Sequence, residues 1–200
     1  MWVKVCGLQT TETVRAAIEA GADAIGFVFA PRSPRTTDAA TVRALIADVP
    51  EGVATVGVFR KQPIDEVVAI ARESGVGWVQ LHGDEPPADH HRLHDGGWKT
   101  IRATSAASYA ADERRDDFHE DLLLIDAPVP GAGETFDASS LLADPPHRDW
   151  ILAGGLRPDN VAALVAELRP AGVDVSSGVE SAPGVKSVDL IRAFVAAALS

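Results

Sequence analysis

The sequence predicts an α/β protein folded as a single (β/α)8 TIM barrel over residues 1–200, and three observations carry that prediction. Eight short apolar segments recur at a spacing of about 25 residues, which is βα spacing and too long for hairpins. Amphipathic helical patterns separate them. The last two segments, Trp150-Ile151-Leu152-Ala153 and Val173-Asp174-Val175, stop at Gly154-Gly155 and at Ser176-Ser177-Gly178. Glycines and small hydroxyl residues there leave backbone N–H groups free to face an anion, and the loops after strands 7 and 8 are the usual phosphate site of such barrels.

Strands are expected to begin near Trp2, Asp23, Val53, Trp78, Trp98, Asp121, Trp150 and Gly172. They read as nearly continuous apolar runs, as parallel strands covered on both faces do. Helical faces follow at Val14, Ala17 and Ile18, at Val67, Ile70 and Ala71, at Val161, Leu164, Val165 and Leu168, and at Val188, Ile191 and Val195. Start signals accompany them: Thr10 or Thr11, Pro63 with Asp65, Pro158 with Asp159, and Ser187. Two loops at strand C-termini are unusual, the proline-stiffened Ala30–Thr37 with Arg32 and Arg35, and the glycine-bearing Ala127–Asp137. The polar stretch Ala103–Glu120 reads as a solvated helix. An open doubly wound sheet is the alternative, but no G-x-G-x-x-G turn opens the first unit and the phosphate-type loops come last.

A hydrophobic fraction of 46% is enough for a full core, and a net charge of −11 argues against nucleic-acid or membrane-surface partners. A small anionic ligand remains compatible, because local amide dipoles act at short range. No apolar run approaches ~18 residues, and the chain reads as one without a secretory leader. The single cysteine excludes an intrachain disulfide and cysteine-built metal sites, and a reducing cytoplasm is the expected setting. The histidines show no metal-ligand spacing, so no metal site is expected.

Alternation along the first strand puts Lys4 and Cys6 on the barrel interior and Val3 and Val5 on the helix-facing side. Cys6, at the lip before Gly7, is either a small core hydrophobe or a reactive thiol. In the sixth strand Leu122, Leu124 and Asp126 share a side, which brings Asp126 to the same rim. It is either a loop-capping carboxylate or the acid partner of the thiol. Closure makes the eighth strand the neighbour of the first, so Asp174 meets Lys4, as a structural pair or as part of a device that tunes the thiolate. Arg35 is a surface arginine or a bidentate clamp for a carboxylate. His82 ends the fourth strand as a structural imidazole or a substrate contact.

Lys4-Val5-Cys6-Gly7, Gly26-Phe27-Val28-Phe29 with Ser33-Pro34-Arg35, Val79-Gln80-Leu81-His82-Gly83, Leu124-Ile125-Asp126, Gly133 with Phe136-Asp137, Ala153-Gly154-Gly155-Leu156 and Asp174-Val175-Ser176-Ser177-Gly178-Val179-Glu180 stand in order along the chain. Together they resemble the phosphoribosylanthranilate isomerase family of tryptophan biosynthesis. The resemblance implies a cofactor-free Amadori rearrangement of a phosphosugar, with Cys6 as general base and Asp126 as general acid. It implies that Arg35, His82, Gly154, Gly155, Asp174, Ser176, Ser177 and Gly178 bind substrate; the expected assembly, which the sequence itself does not decide, is a monomer or homodimer. Such chemistry calls for a raised carboxyl pKa and a lowered thiol pKa. The loop around Gly131-Ala132-Gly133, with Ala138 after Asp137, departs from the family pattern and bears on lid geometry.

Three other functions compete. A histidine-pathway or dual-substrate ribosyl isomerase resembles this chemistry but carries a carboxylate where Cys6 stands. A non-catalytic phosphosugar-binding barrel would use Cys6 only for packing. A Schiff-base aldolase would act through Lys4.

Overall fold

Eight strands close in sequence order into a parallel barrel in the computed structural model, which describes residues 1–126 and 146–200. They are β1 (Trp2–Cys6), β2 (Ala24–Val28), β3 (Ala54–Phe59), β4 (Trp78–Leu81), β5 (Lys99–Thr104), β6 (Leu122–Asp126), β7 (Trp150–Ala153) and β8 (Gly172–Val175). Pairing of β1 with β8 seals the barrel and sets Lys4 opposite Asp174. Each strand begins within about one residue of where its apolar run does. The loop Ala127–Asp137 singled out in the sequence lies outside the described residues.

The connecting helices are α1 (Thr11–Ala20), α2 (Ala39–Ile46), α3 (Ile64–Ser74), α4 (Pro87–Asp95), α5 (Ala106–Ala111), α6 (Val161–Leu168) and α7 (Val188–Leu199). Side chains satisfy the free N–H groups where four of them start, Ser105 accepting from the Ser108 N–H at 3.0 Å at α5. Thr10 accepts from the Thr13 N–H at 3.3 Å, Asp38 from Thr41 at 2.9 Å and Ser187 from Leu190 at 3.3 Å. Helix α6 begins later than Pro158 and Asp159 suggest. Asn160 instead ties the loop after β7, taking the Arg157 N–H on Oδ1 at 2.7 Å and donating from Nδ2 to the Gly155 carbonyl at 3.0 Å.

One expectation is corrected. The stretch Ala103–Glu120 is not one solvated helix: α5 ends at Ala111, and Phe118 and Glu120 are buried. The buried Arg102 spreads its guanidinium over the Phe118 ring, 3.5 Å from the centroid, and draws that segment against the barrel wall. Between β8 and α7 the chain also forms an antiparallel hairpin, β9 (Glu180–Ala182) and β10 (Val185–Lys186), which the strand and helix patterns did not include.

The core has two layers, as alternation requires. Val3, Val5, Ile25, Phe27, Val173 and Val175 face the helices, while Cys6, Ala24, Val28, Val56, Val58, Leu124 and Ile151 fill the interior. Helix α7 packs on α1, and its Phe194 is fully buried, a side chain whose truncation to alanine costs about 3–5 kcal/mol in comparable cores. This outer layer fixes the strand ends, and the strand ends fix the site.

Candidate active site

A cavity of about 440 Å³ opens at the C-terminal end of the barrel, and its walls include Cys6, Arg35, Gln80, His82, Asp126, Gly154, Gly155, Asp174, Ser176 and Ser177. Of the residues expected there from sequence, only Gly178 is absent from the wall. Its place lies one step behind, where a Cβ would stand 1.8 Å from the Leu156 carbonyl oxygen. Only glycine permits the loops after β7 and β8 to approach that closely. Gly154 and Gly155 both adopt positive φ, 84° and 62°, which turns the first loop back toward the second. The N–H groups of Gly154, Gly155, Ser177 and Gly178 meet no backbone acceptor among the described residues. The result is a concave surface of donors suited to a phosphate.

Beside this cradle, on the strand next to β8, Cys6 is 6% exposed at the top of β1. It has room because β2 presents Gly26 beside it: a Cβ there would lie 2.9 Å from Sγ and 3.1 Å from the Lys4 Cε. Below the thiol, the wholly buried Lys4 Nζ is 2.9 Å from Asp174 Oδ2, while Asp174 Oδ1 has no partner among the described residues. Burial works against the Lys4 ammonium, but the charges of Asp174 and Cys6 outweigh it and its pKa stands above the ordinary value. For Cys6 the balance runs opposite to expectation. Burial pushes the thiol up, with Asp174 adding to the effect, and the cations of Lys4 and Lys186 only partly offset it. The expected lowering of the thiol pKa is therefore corrected: a dry, apolar interior outweighs two nearby cations.

Asp126, at the end of β6, accepts or shares a hydrogen bond with His82 Nε2 at 2.9 Å, and His82 Nδ1 lies 3.1 Å from Gln80 Nε2. Gln80 on β4 and His82 just past its end both face the cavity, two residues apart as alternation requires. Gln80 is thus a polar residue at a core position, a signal present in the sequence and not used. Arg35 is less free than expected. Its Nε and Nη2 donate to Glu180 at 2.6 and 2.8 Å, so Nη1 is the edge of the guanidinium outside that bidentate contact.

Glu180 also accepts from Lys186 Nζ at 2.8 Å and from the Gly184 N–H at 3.1 Å. Burial works against its charge, yet the bonds from Arg35, Lys186 and Gly184 bring its pKa down to about 2. Lys186 further donates to the Ser176 carbonyl at 2.8 Å, and the Ser176 hydroxyl donates to the Cys6 carbonyl at 3.2 Å. Ser176 thereby binds the ends of β1 and β8 together. Sequence reasoning missed Glu180 and Lys186 as site residues because it missed the hairpin. The Pro183-Gly184 pair was the available turn signal.

No group of three or more His, Cys, Asp or Glu side chains able to hold a metal ion occurs among the described residues. Nor is any described helix long and apolar enough to cross a membrane.

Fold and rim define a class, the (β/α)8-barrel enzymes that carry their chemistry on the C-terminal lip. Within it, the family model of N-(5'phosphoribosyl)anthranilate (PRA) isomerase matches residues 3–197. The chain belongs to that family. A relative from Rubrobacter xylanophilus named N-(5'-phosphoribosyl)anthranilate isomerase is 42% identical over 205 residues, spanning 99% of this chain and 98% of its own. The crystal structure of TrpF from Jonesia denitrificans has a TM-score of 0.89 at 44% identity, covering 100% of this chain and 97% of that one. A phosphoribosyl anthranilate isomerase solved in complex with reduced 1-(o-carboxyphenylamino)-1-deoxyribulose 5-phosphate gives 0.84 at 34% identity, covering 100% and 98%.

Proposed function

We propose that the chain converts N-(5-phosphoribosyl)anthranilate into 1-(2-carboxyphenylamino)-1-deoxyribulose 5-phosphate in tryptophan biosynthesis, with Asp126 as general acid and Cys6 as general base. The observation that carries this reading is that β1 and β6 bring Cys6 and Asp126 to one cavity, on either side of the amide-lined cradle that follows β7 and β8. A thiol and a carboxyl group so placed face a single bound sugar phosphate.

In this reading the phosphate rests on the N–H groups of Gly154, Gly155, Ser177 and Gly178, and Arg35 uses Nη1 for the anthranilate carboxylate. Asp126 gives its proton to the furanose ring oxygen, the C1–O bond breaks, and the anilino nitrogen's lone pair forms a Schiff base. Cys6, as thiolate, then takes the proton from C2, and the electron pair flows back to nitrogen as an enolamine. Tautomerisation of the enolamine yields the ketone, so atoms and charge balance without a cofactor. The cations of Lys4 and Lys186 offset part of the burial that disfavours this thiolate. Asp174 lines the cavity and its Oδ1 has no partner among the described residues, so it is the acceptor for a sugar hydroxyl.

Loss of substrate fluorescence tests this directly. Wild type is expected to turn over, and Cys6→Ala and Asp126→Asn each to lose about 10²-fold or more in kcat, the contribution typical of a positioned acid or base. Wild-type protein that binds the substrate without converting it would overturn the proposal.

A further inference from the structure

Gln80 is buried on the inner face of β4, directly beneath His82, and its amide nitrogen lies 3.1 Å from His82 Nδ1. An amide nitrogen only donates, so Nδ1 must accept. Neutral His82 then carries its proton on Nε2 and donates it to Asp126 Oδ2, 2.9 Å away. His82 Nδ1 is the amide's one hydrogen-bond partner among the described residues, since Gln80 Oε1 is buried without one. A second proton on the imidazole would set Nδ1–H against the amide N–H, two donors face to face.

An imidazole with no partner at Nδ1 is free to turn either a bare or a protonated Nε2 toward Asp126. We propose that Gln80 is a positioning residue that fixes His82 in its Nε2–H tautomer, so that the ring donates to Asp126 Oδ2 and leaves Oδ1 as the oxygen that faces the sugar ring. The inference rests on the reading of Asp126 as the acid.

The other charged groups around the pair come from every side of the cavity: Lys4 and Cys6 on β1, Asp174 on β8, Arg32 and Arg35 after β2, and Arg60 after β3. None of them replaces Gln80 at Nδ1, the nitrogen on which the tautomer turns.

The ¹⁵N shifts of the His82 imidazole in the wild-type protein at pH 7 read the tautomer directly. They are expected to show Nε2 protonated and Nδ1 bare. In Gln80→Glu a carboxylate oxygen replaces the amide nitrogen, both ring nitrogens should carry protons, and kcat should fall about tenfold or more with KM little changed. A wild-type Nδ1–H tautomer or imidazolium, or a Gln80→Glu variant with wild-type kcat, would overturn the inference. Because the wild-type spectrum decides alone, a poorly folding variant does not rescue it. Asp126→Asn separates the two levels. If it retains wild-type kcat the acid assignment itself fails, whereas an inactive Asp126→Asn beside a fully active Gln80→Glu removes only the role of Gln80.

Discussion

Replacing Lys4 by methionine removes a charge from the middle of the barrel and keeps the length of the side chain. Lys4 is 0% exposed and bonded to Asp174 Oδ2 at 2.9 Å, and Asp174 Oδ1 already lacks a partner among the described residues. The variant leaves a buried carboxylate with no cation and neither oxygen satisfied. Breaking a buried pair from one side costs about 3–5 kcal/mol, a large share of the ~5–15 kcal/mol that separates a folded domain from its unfolded chain. Replacing both partners, Lys4→Met with Asp174→Leu, removes the orphaned charge and should restore most of the loss. Urea unfolding measures both, as a fall in midpoint at constant slope for the single variant and a recovery for the double. A single variant within about 1 kcal/mol of wild type, or a double variant no more stable than the single, would refute this account of the pair.

Other consequences follow from the same coordinates. Because burial holds the Cys6 thiol above its ordinary pKa of 9.0, the thiolate fraction should still be rising past pH 9, and the alkylation rate of this only cysteine should climb through that range. A rate already flat at pH 8 would contradict it. Gly178→Ala forces the Leu156 carbonyl and the loop after β8 apart, and it should weaken inhibition by inorganic phosphate and raise KM; an unchanged KM would count against the cradle. Burial, with Arg102 adding to it, holds His90 down to about 3 from 6.5. The unfolded chain therefore binds the extra proton first, and stability present above pH 6.5 is lost as pH falls toward 3, by up to about 5 kcal/mol. His90→Phe should flatten the urea midpoint between pH 6.5 and 4, and an equally steep decline in the variant would show that other groups are responsible.

Strand alternation accounts for what was legible in the sequence. Cys6, Asp126 and Asp174 could be assigned to the interior because their neighbours Val5, Ile125 and Val175 demand the helix-facing side, and the parallel order then fixed which strands meet. The double glycine after β7 announced its own turn. What escaped depends on contacts across the chain. Lys186 approaches Cys6 only through the β9–β10 hairpin, and Arg35 is claimed by Glu180, a residue 145 positions away. The direction of the thiol shift turns on a balance between burial and two cations, and a pattern of residue types does not weigh one against the other. Arg102, Phe118 and Glu120 look like a charged surface in sequence and become a buried cluster only because the guanidinium stacks on the ring.

The division of labour between Cys6 and Asp126 is most directly tested by single turnover with reductive trapping. Substrate is mixed with Cys6→Ser or Asp126→Asn and quenched with cyanoborohydride, which reduces an open-chain imine to a stable amine. Cys6→Ser should open the ring and stall, yielding the trapped amine, while Asp126→Asn should yield intact substrate. Trapped imine from Asp126→Asn but none from Cys6→Ser, or full conversion by either variant, would contradict the assignment of acid and base.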